Sequence, residues 1–590
     1  MKRSLGHLAL ALAIVTTVLA GAYAPIRATA GHAPQHRGAA RLDTRLRAVV
    51  DDAGSEPQRV IIRVRPGGRP ALRARLTAHG DQILGEHESI DALTAVIHGE
   101  DLAALADSDA ILSVSSDAVV RPHGLLGGLL GGLLKLVVNV VGGLVNVLLP
   151  NGADTSGPSV APAVLRQTLG VDDTSWTGNG VGVAVIDSGL EMSAEFQNRV
   201  KAFYDFTNGR SAAVAAFDDY GHGTHVAGTI GGSGALSYNY AYHGLAPKVK
   251  FIILKVLDKT GAGYTSDVIR AIDFAVANRL TLGIDIINLS LGHPIYEPAA
   301  TDPLVQAIER ASAAGVIVVA AAGNSGKNPA TGLPGYGGIT SPGNAPSAIT
   351  VGADKTQNSV TRGDDRIADY SSAGPTWYDA FAKPDVVSPG HNIVSVAANQ
   401  GTLHKTYPQL TDADPDYMIL SGTSMATAVT TGSIALLVEA NRSANHYPAR
   451  PSLTPNAVKA ILQYTALGIH DDAGAEYDPL RKGAGSLNTK GALDLGRLID
   501  TEARVGSSWL TRTPYHWTTI GNETLMWNQS IMWGSSIMWG DTVDVNQTAW
   551  GSSIMWGDTT SWGSSIMWGS NVVWTNPQSW ADSIMWGSNT

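Results

Sequence analysis

The spacing of apolar and polar positions changes three times along this chain, and each change predicts a different kind of structure. Between Gln58 and His123 the segments QRVIIRVR, ALTAVIHG and AILSVSSD alternate with period two. PALRARLTAHG and EDLAALADS carry helical spacing instead. The order strand, helix, strand, helix, strand predicts a small α+β unit. Residues 124–150, GLLGGLLGGLLKLVVNVVGGLVNVLLP, are almost wholly apolar and keep no period. Lys135, Asn139, Asn146 and the interspersed glycines cut this run into pieces shorter than the roughly 18 residues of a membrane span. It reads as an apolar connector lying on a groove or a membrane surface and cut during maturation, with a span as the alternative.

From about residue 159 to 500 the runs GVGVAVID, VKFIILKVLD, IDIINLSLG, GVIVVAAAGN and SAITVGA alternate with TSDVIRAIDFAVAN and PLVQAIERASAAG. Uninterrupted apolar runs suit strands covered on both faces, and strand–helix alternation predicts an α/β domain with a parallel sheet between helical layers. Gly315 is placed as a cap beyond the second helix. In such sheets functional groups gather at the carboxyl ends of the strands.

After about residue 500 a third regime begins. Twelve of the 14 tryptophans lie beyond Ser508, SIMWG starts at 530, 536, 553, 565 and 583, and from Trp550 to Trp586 a Trp recurs at every sixth position. An even period keeps these rings on one face of extended chain, which predicts a repetitive, β-rich tail of stacked short strands. Such a surface suits adhesion or sugar binding, because Trp offers an apolar face and a donor; the alternatives are a self-associating or secretion tail, or the core of a small repeat domain.

Composition narrows the picture. There is no cysteine, which excludes disulfides, thiolate metal sites and cysteine nucleophiles. The net charge is −10, with the acidic excess after residue 150, so nucleic acid is not expected as a partner. At the start, Lys2 and Arg3, the apolar stretch Leu8 to Leu19 and the small residues Ala28-Thr29-Ala30 predict a secretory signal cut after Ala30, with a retained anchor as the alternative. The protein is expected to be secreted and extracellular.

Four stretches carry candidate chemistry. Asp187 ends the strand VAVID. His222 and His225 open a helix of small residues in DDYGHGTHVAGTIGG; no acid follows at a zincin spacing, so a metal site is not expected there. One imidazole oriented by Asp187 could instead take a proton with its other nitrogen. Asn324 ends the run VVAAAGN and could donate to an oxyanion, or simply form a turn. Ser424, in SGTSMATAVTTGSIALLVEANR, stands at a helix start, where a serine is either a cap or a nucleophile.

Together the segments VAVIDSG, HGTHVAG, INLSLG, AAGNSG, YSSAGP, KPDVVSPG and SGTSMA, in this order, closely resemble the subtilisin-like serine proteases, or subtilases, over roughly residues 170–495. The resemblance implies a three-layer subtilisin-like fold and an endopeptidase acting on proteins or peptides. Ser424 would be the nucleophile, His222 the general base, Asp187 the group orienting it, and the Asn324 amide with the Ser424 N–H the oxyanion hole. Ser290, Leu291 and Gly292 would pair with the substrate backbone and, with Ala322 and Gly323, wall a small uncharged pocket preferring apolar or aromatic residues before the cut. Ala428-Val429 stand where the family commonly has Pro-His. A structural calcium is compatible with the family, but the loop GGSGALSYNYAYHGLAP lacks the set of acidic or amide ligands that would mark a family-type site, so the sequence does not locate one; no catalytic cofactor is implied.

The resulting division is a signal at 1–30, an inhibitory propeptide of ferredoxin-like α+β form at 31–123, the apolar linker at 124–158, the catalytic domain at 159–500 and the Trp-rich tail at 501–590. The propeptide would act as an intramolecular inhibitor, removed by a cut between Arg121 and Ser159, and the tail would attach the enzyme to a cell surface or polysaccharide. The competing reading is a surface protein whose protease domain serves only its own maturation.

Overall fold

The computed structural model describes residues 40–123, 158–327, 334–446, 452–503, 508 and 510–530, and the backbone alone at a few short strands beyond. The signal, most of the apolar linker and most of the tryptophan repeat lie outside the described residues. Within the repeat, 561–567 pairs antiparallel with both 556–558 and 585–586. Among the described residues no helix is long and apolar enough to cross a membrane.

Residues 40–123 build their own antiparallel sheet from β1 (Pro57–Val64), β2 (Gln82–His87), β3 (Ala92–His98) and β4 (Ile111–Ser116), in the order β2-β3-β1-β4. Helices α1 (Thr44–Asp51), α2 (Arg69–His79) and α3 (Leu102–Ala106) cover one face. Val60, Ile62 and Val64 point into that helical side, whereas Ile61 joins the core of the following domain. Period two in VIIRV thus serves two cores at once. The pattern of apolar positions predicted neither α1 nor β2; only His87 of β2 is fully buried, so its residues carry no clean alternation.

The next domain is a largely parallel sheet. Its central strands run β13 (Ile349–Lys355), β12 (Ile317–Ala321), β10 (Ile286–Leu289), β6 (Gly182–Asp187), β8 (Lys250–Lys255), β7 (Val200–Asp205), all parallel, with β14 (Val386–Pro389) beside β13 and short antiparallel strands at the margins. Alternate residues go to opposite faces. Val183 and Val185 meet α5 (His222–Gly231) and α8 (Thr423–Ala444), while Ala184 and Ile186 meet α6 (Thr265–Ala277) and α7 (Pro303–Ala313). Burial on both sides is why these strands are apolar throughout. Helix α7 does end at the predicted cap: Gly315 has φ 87° and Val316 N–H returns to Ala311 O. Packing continues past residue 500, for Ile520 and Trp527 lie in the main core and Trp527 bridges to Leu467.

The two units are joined by a strand and by buried polar groups. Strand β5 (Val119–Pro122) lies between β9 (Gly263–Tyr264) and β11 (Leu291–Gly292), antiparallel to both. Helix α6 has no cap of its own. Asp117, 149 positions earlier, accepts from Ser266 N–H and Ser266 Oγ–H, each at 2.8 Å, while Arg59 pairs with Asp117 and lies 3.8 Å over the Tyr264 ring.

Across the same interface Glu297 is buried near Asp302 and Asp43. Burial, then the Asp302 and Asp43 charges, push its carboxyl up from 4.5 to about 8. A raised acid pKa means the folded form holds a proton that the unfolded chain releases. The stability this group contributes is therefore complete below about pH 4.5 and is lost as pH rises through about 8. Glu297→Gln should flatten the decline of the thermal midpoint of the full chain between pH 5 and 8. A variant whose profile runs parallel to the parent's would exclude Glu297 as its source.

Candidate active site

Asp187 closes β6, and its fully buried carboxylate accepts from Ser188 N–H at 2.7 Å. His222 is the first residue of α5, and its Nδ1 lies 2.8 and 3.0 Å from the two Asp187 oxygens. Facing a carboxylate, Nδ1 must carry the proton, so Nε2 is left as the acceptor. That nitrogen is buried and has no hydrogen-bond partner among the described residues.

What holds the imidazole there is Asp218. Its carboxylate accepts from Ser188 Oγ, Tyr220 N, Gly221 N, Thr224 N and Thr224 Oγ at 2.7–3.2 Å. These donors include orphan N–H groups of the first turn of α5, and the chain enters that turn through Gly221 at φ 109°. The second histidine of the motif, His225, faces away. Its Nε2 donates to the carbonyls of Ile393 and Met418, both at 3.1 Å, and burial lowers its pKa to about 3.

Ser424 is not the cap of α8. Gly422 holds that position, and Ser424 stands in the first turn, where N–H groups are free of intrahelical partners. Its Oγ donates to Ser290 O at 2.8 Å, while Ser290 Oγ donates to Ser424 O at 3.0 Å. The structure thus brings Asp187 and His222 into contact but leaves the Ser424 hydroxyl on the Ser290 carbonyl rather than on His222.

Asn324 follows β12. Its Oδ1 accepts from the N–H and the hydroxyl of Thr423, both at 3.0 Å, which fixes the amide so that Nδ2 points into the cleft. There Nδ2 donates to His123 O at 2.5 Å, and Ser424 N–H faces the same oxygen at 3.5 Å. His123 N–H donates to Ser290 O at 3.2 Å, directly after β5 has paired Leu291 with Pro122 and Gly292 with Arg121. His123 is half-buried, with its ring Nε2 2.9 Å from Thr340 Oγ. Ser290, Leu291, Gly292 and Asn324 therefore surround one extended segment of the chain itself, while Gly323 donates its N–H to Thr423 Oγ at 3.2 Å and lies against Thr340. Ala322 stands behind, its carbonyl accepting from Thr340 N–H at 3.1 Å.

Asp218, Thr340, Thr423 and His123 escaped the sequence reading. Asp218 and Thr423 lay inside quoted motifs and His123 inside the stretch expected to hold the maturation cut, whereas Thr340 sits in a segment with no local signal for a site. Chemically, the arrangement presents two N–H donors to one carbonyl oxygen and, nearby, an imidazole with a free acceptor nitrogen.

The profile of the subtilase family (Peptidase S8) matches residues 178–492. The chain is 36% identical over 322 residues to the serine protease AprX of Bacillus subtilis (strain 168), covering 54% of this chain and 67% of that protein. It is 32% identical over 376 residues to an alkaline protease of Shouchella clausii, covering 64% and 76% respectively. Among solved structures it resembles fervidolysin from Fervidobacterium pennivorans, a keratinolytic enzyme related to subtilisin. That match has a TM-score of 0.52 at 18% identity and covers 75% of this chain and 61% of that one. With the profile spanning more than half of its length, the chain belongs to the subtilase family and is a serine-type endopeptidase.

Proposed function

We propose that this chain is a secreted endopeptidase made as a zymogen, that Ser424, His222 and Asp187 form its triad, and that it matures by cutting its own chain after His123. One observation carries the reading. The carbonyl of His123 faces the Asn324 amide and the Ser424 N–H, and the segment before it lies as a strand between β9 and β11.

In this reading Ser424 Oγ leaves Ser290 O, gives its proton to His222 Nε2 and bonds to the His123 carbonyl carbon. The resulting oxyanion is held by Asn324 Nδ2–H and Ser424 N–H, and Asp187 stabilises the imidazolium. Collapse breaks the bond to Gly124, whose nitrogen takes the proton from His222. Water, deprotonated by the same imidazole, then releases the acyl group. Residues 40–123 remain afterwards as a bound product and inhibitor until they leave, and added proteins then follow the same path. The tryptophan repeat follows all of these residues in the chain and is assigned attachment to a surface or polysaccharide.

A fluorophosphonate probe tests the reading, because it reacts with a serine only when base and oxyanion hole are assembled. We expect an adduct on Ser424, absent after His222→Ala, and a mature amino terminus at Gly124. An unlabelled Ser424 in folded protein free of residues 40–123 would remove the triad assignment.

A further inference from the structure

We propose that the pocket for the residue before the cut selects a neutral imidazole, so that this enzyme cleaves preferentially after histidine, and that Thr340 is the side chain that reads the ring. The inference rests on the protease reading above, which places His123 at that position.

The backbone of His123 is fixed on both sides of its Cα. Its N–H is bound to Ser290 O, and its C=O lies between Asn324 Nδ2 and Ser424 N–H. The side chain runs into the space between Gly292 and Thr340. A Cβ on Gly292 would stand 2.5 Å from His123 Nε2, so the missing side chain there is what admits the ring. On the other side Thr340 is held by its own N–H on Ala322 O, with Oγ 3.4 Å from the same carbonyl and 2.9 Å from His123 Nε2. A hydroxyl that donates to Ala322 O can accept from Nε2–H; one that turns to the ring can donate to Nε2. Either pairing suits a neutral imidazole, and neither exists for a phenyl ring or an alkyl chain. Small uncharged walls alone predicted an apolar or aromatic preference; Thr340 adds a polar group that such residues leave unused.

A charged imidazole is a poor occupant. The ionisable groups acting on the ring are His222, on α5, and His293, just after β11, and both oppose a further positive charge. Burial first, then these two neighbours, lower the pKa of His123 to about 3.

The full-length chain, purified after maturation, can be assayed with peptide anilides Val-Arg-Pro-X, where X is His, Phe, Leu or Arg. At about pH 7.5 we expect kcat/KM for X = His to exceed that for Phe by roughly five- to tenfold, the scale of one neutral hydrogen bond. Thr340→Val should bring the His/Phe ratio to about one, and Thr340→Ser, which keeps the hydroxyl, should restore it. The ratio should also fall about tenfold between pH 7.5 and 5.5 as the free substrate imidazole protonates. The Phe peptide carries the enzyme's own titration, so that contribution cancels in the ratio. Preference for Phe or Leu over His, or a ratio unmoved by Thr340→Val, would overturn the proposal while leaving the protease reading intact. Failure to cut any of the peptides, together with an unlabelled Ser424, would take down the protease reading and this pocket with it.

Discussion

Replacing Ser424 by Ala should lower turnover of an added protein by about 10⁶-fold, an order taken from measurements on subtilisin, a relative, rather than from this geometry. The change removes one hydroxyl whose only hydrogen bond among the described residues is to Ser290 O. The first turn of α8 stays anchored by Thr423 on Asn324, so stability should barely move. The same variant should retain residues 40–123 covalently, because no nucleophile is left to attack the His123 carbonyl. Intact mass and amino-terminal sequencing read both effects. A Ser424→Ala chain that loses this module on schedule, with no other protease present, would show that maturation is not self-inflicted.

Asp187→Asn is the second large effect, with an expected loss of about 10⁴ in kcat. The amide can still accept from Ser188 N–H, so the turn after β6 survives. Its NH₂ group, however, would face His222 Nδ1 as a donor. That interaction favours the tautomer with the proton on Nε2, which can no longer take one from Ser424. The fluorophosphonate adduct should form correspondingly slowly, with a thermal midpoint close to the parent's. Loss of activity accompanied by a large drop in that midpoint would instead assign Asp187 a structural role at the end of β6.

Asp187 and Asn324 were legible as candidates because each sits where a parallel strand gives way to a turn, and His222 and Ser424 because each opens a helix rich in small residues. Each alone left an ordinary structural alternative open, and their roles came from the resemblance of the seven segments taken together. Ser290 to Gly292, with Ala322 and Gly323, came from the family resemblance alone. Thr340 was not legible, since it belongs to a loop after β12 and only tertiary packing carries it to the cleft. Asp117 was equally hidden, because it caps a helix 149 positions away and nothing near it in the sequence shows the helix it serves. Strand β5 is the sharpest case. VVRP contains a proline and is too short to signal a strand, and it becomes one only because edges wait on both sides of it.

On the maturation proposed above, those two edges outlast their occupant. Once β5 has left, Gly263–Tyr264 and Leu291–Gly292 face each other across a gap one strand wide, roughly 10 Å, with their N–H and C=O groups unpaired. Backbone pairing asks little of sequence, so any extended segment can enter, including a loop frayed from a second copy of the enzyme. Shelf life in solution then becomes a collision problem. Loss of the vacated enzyme should be second order in its own concentration, and dilution or a saturating peptide should preserve it better than cooling does.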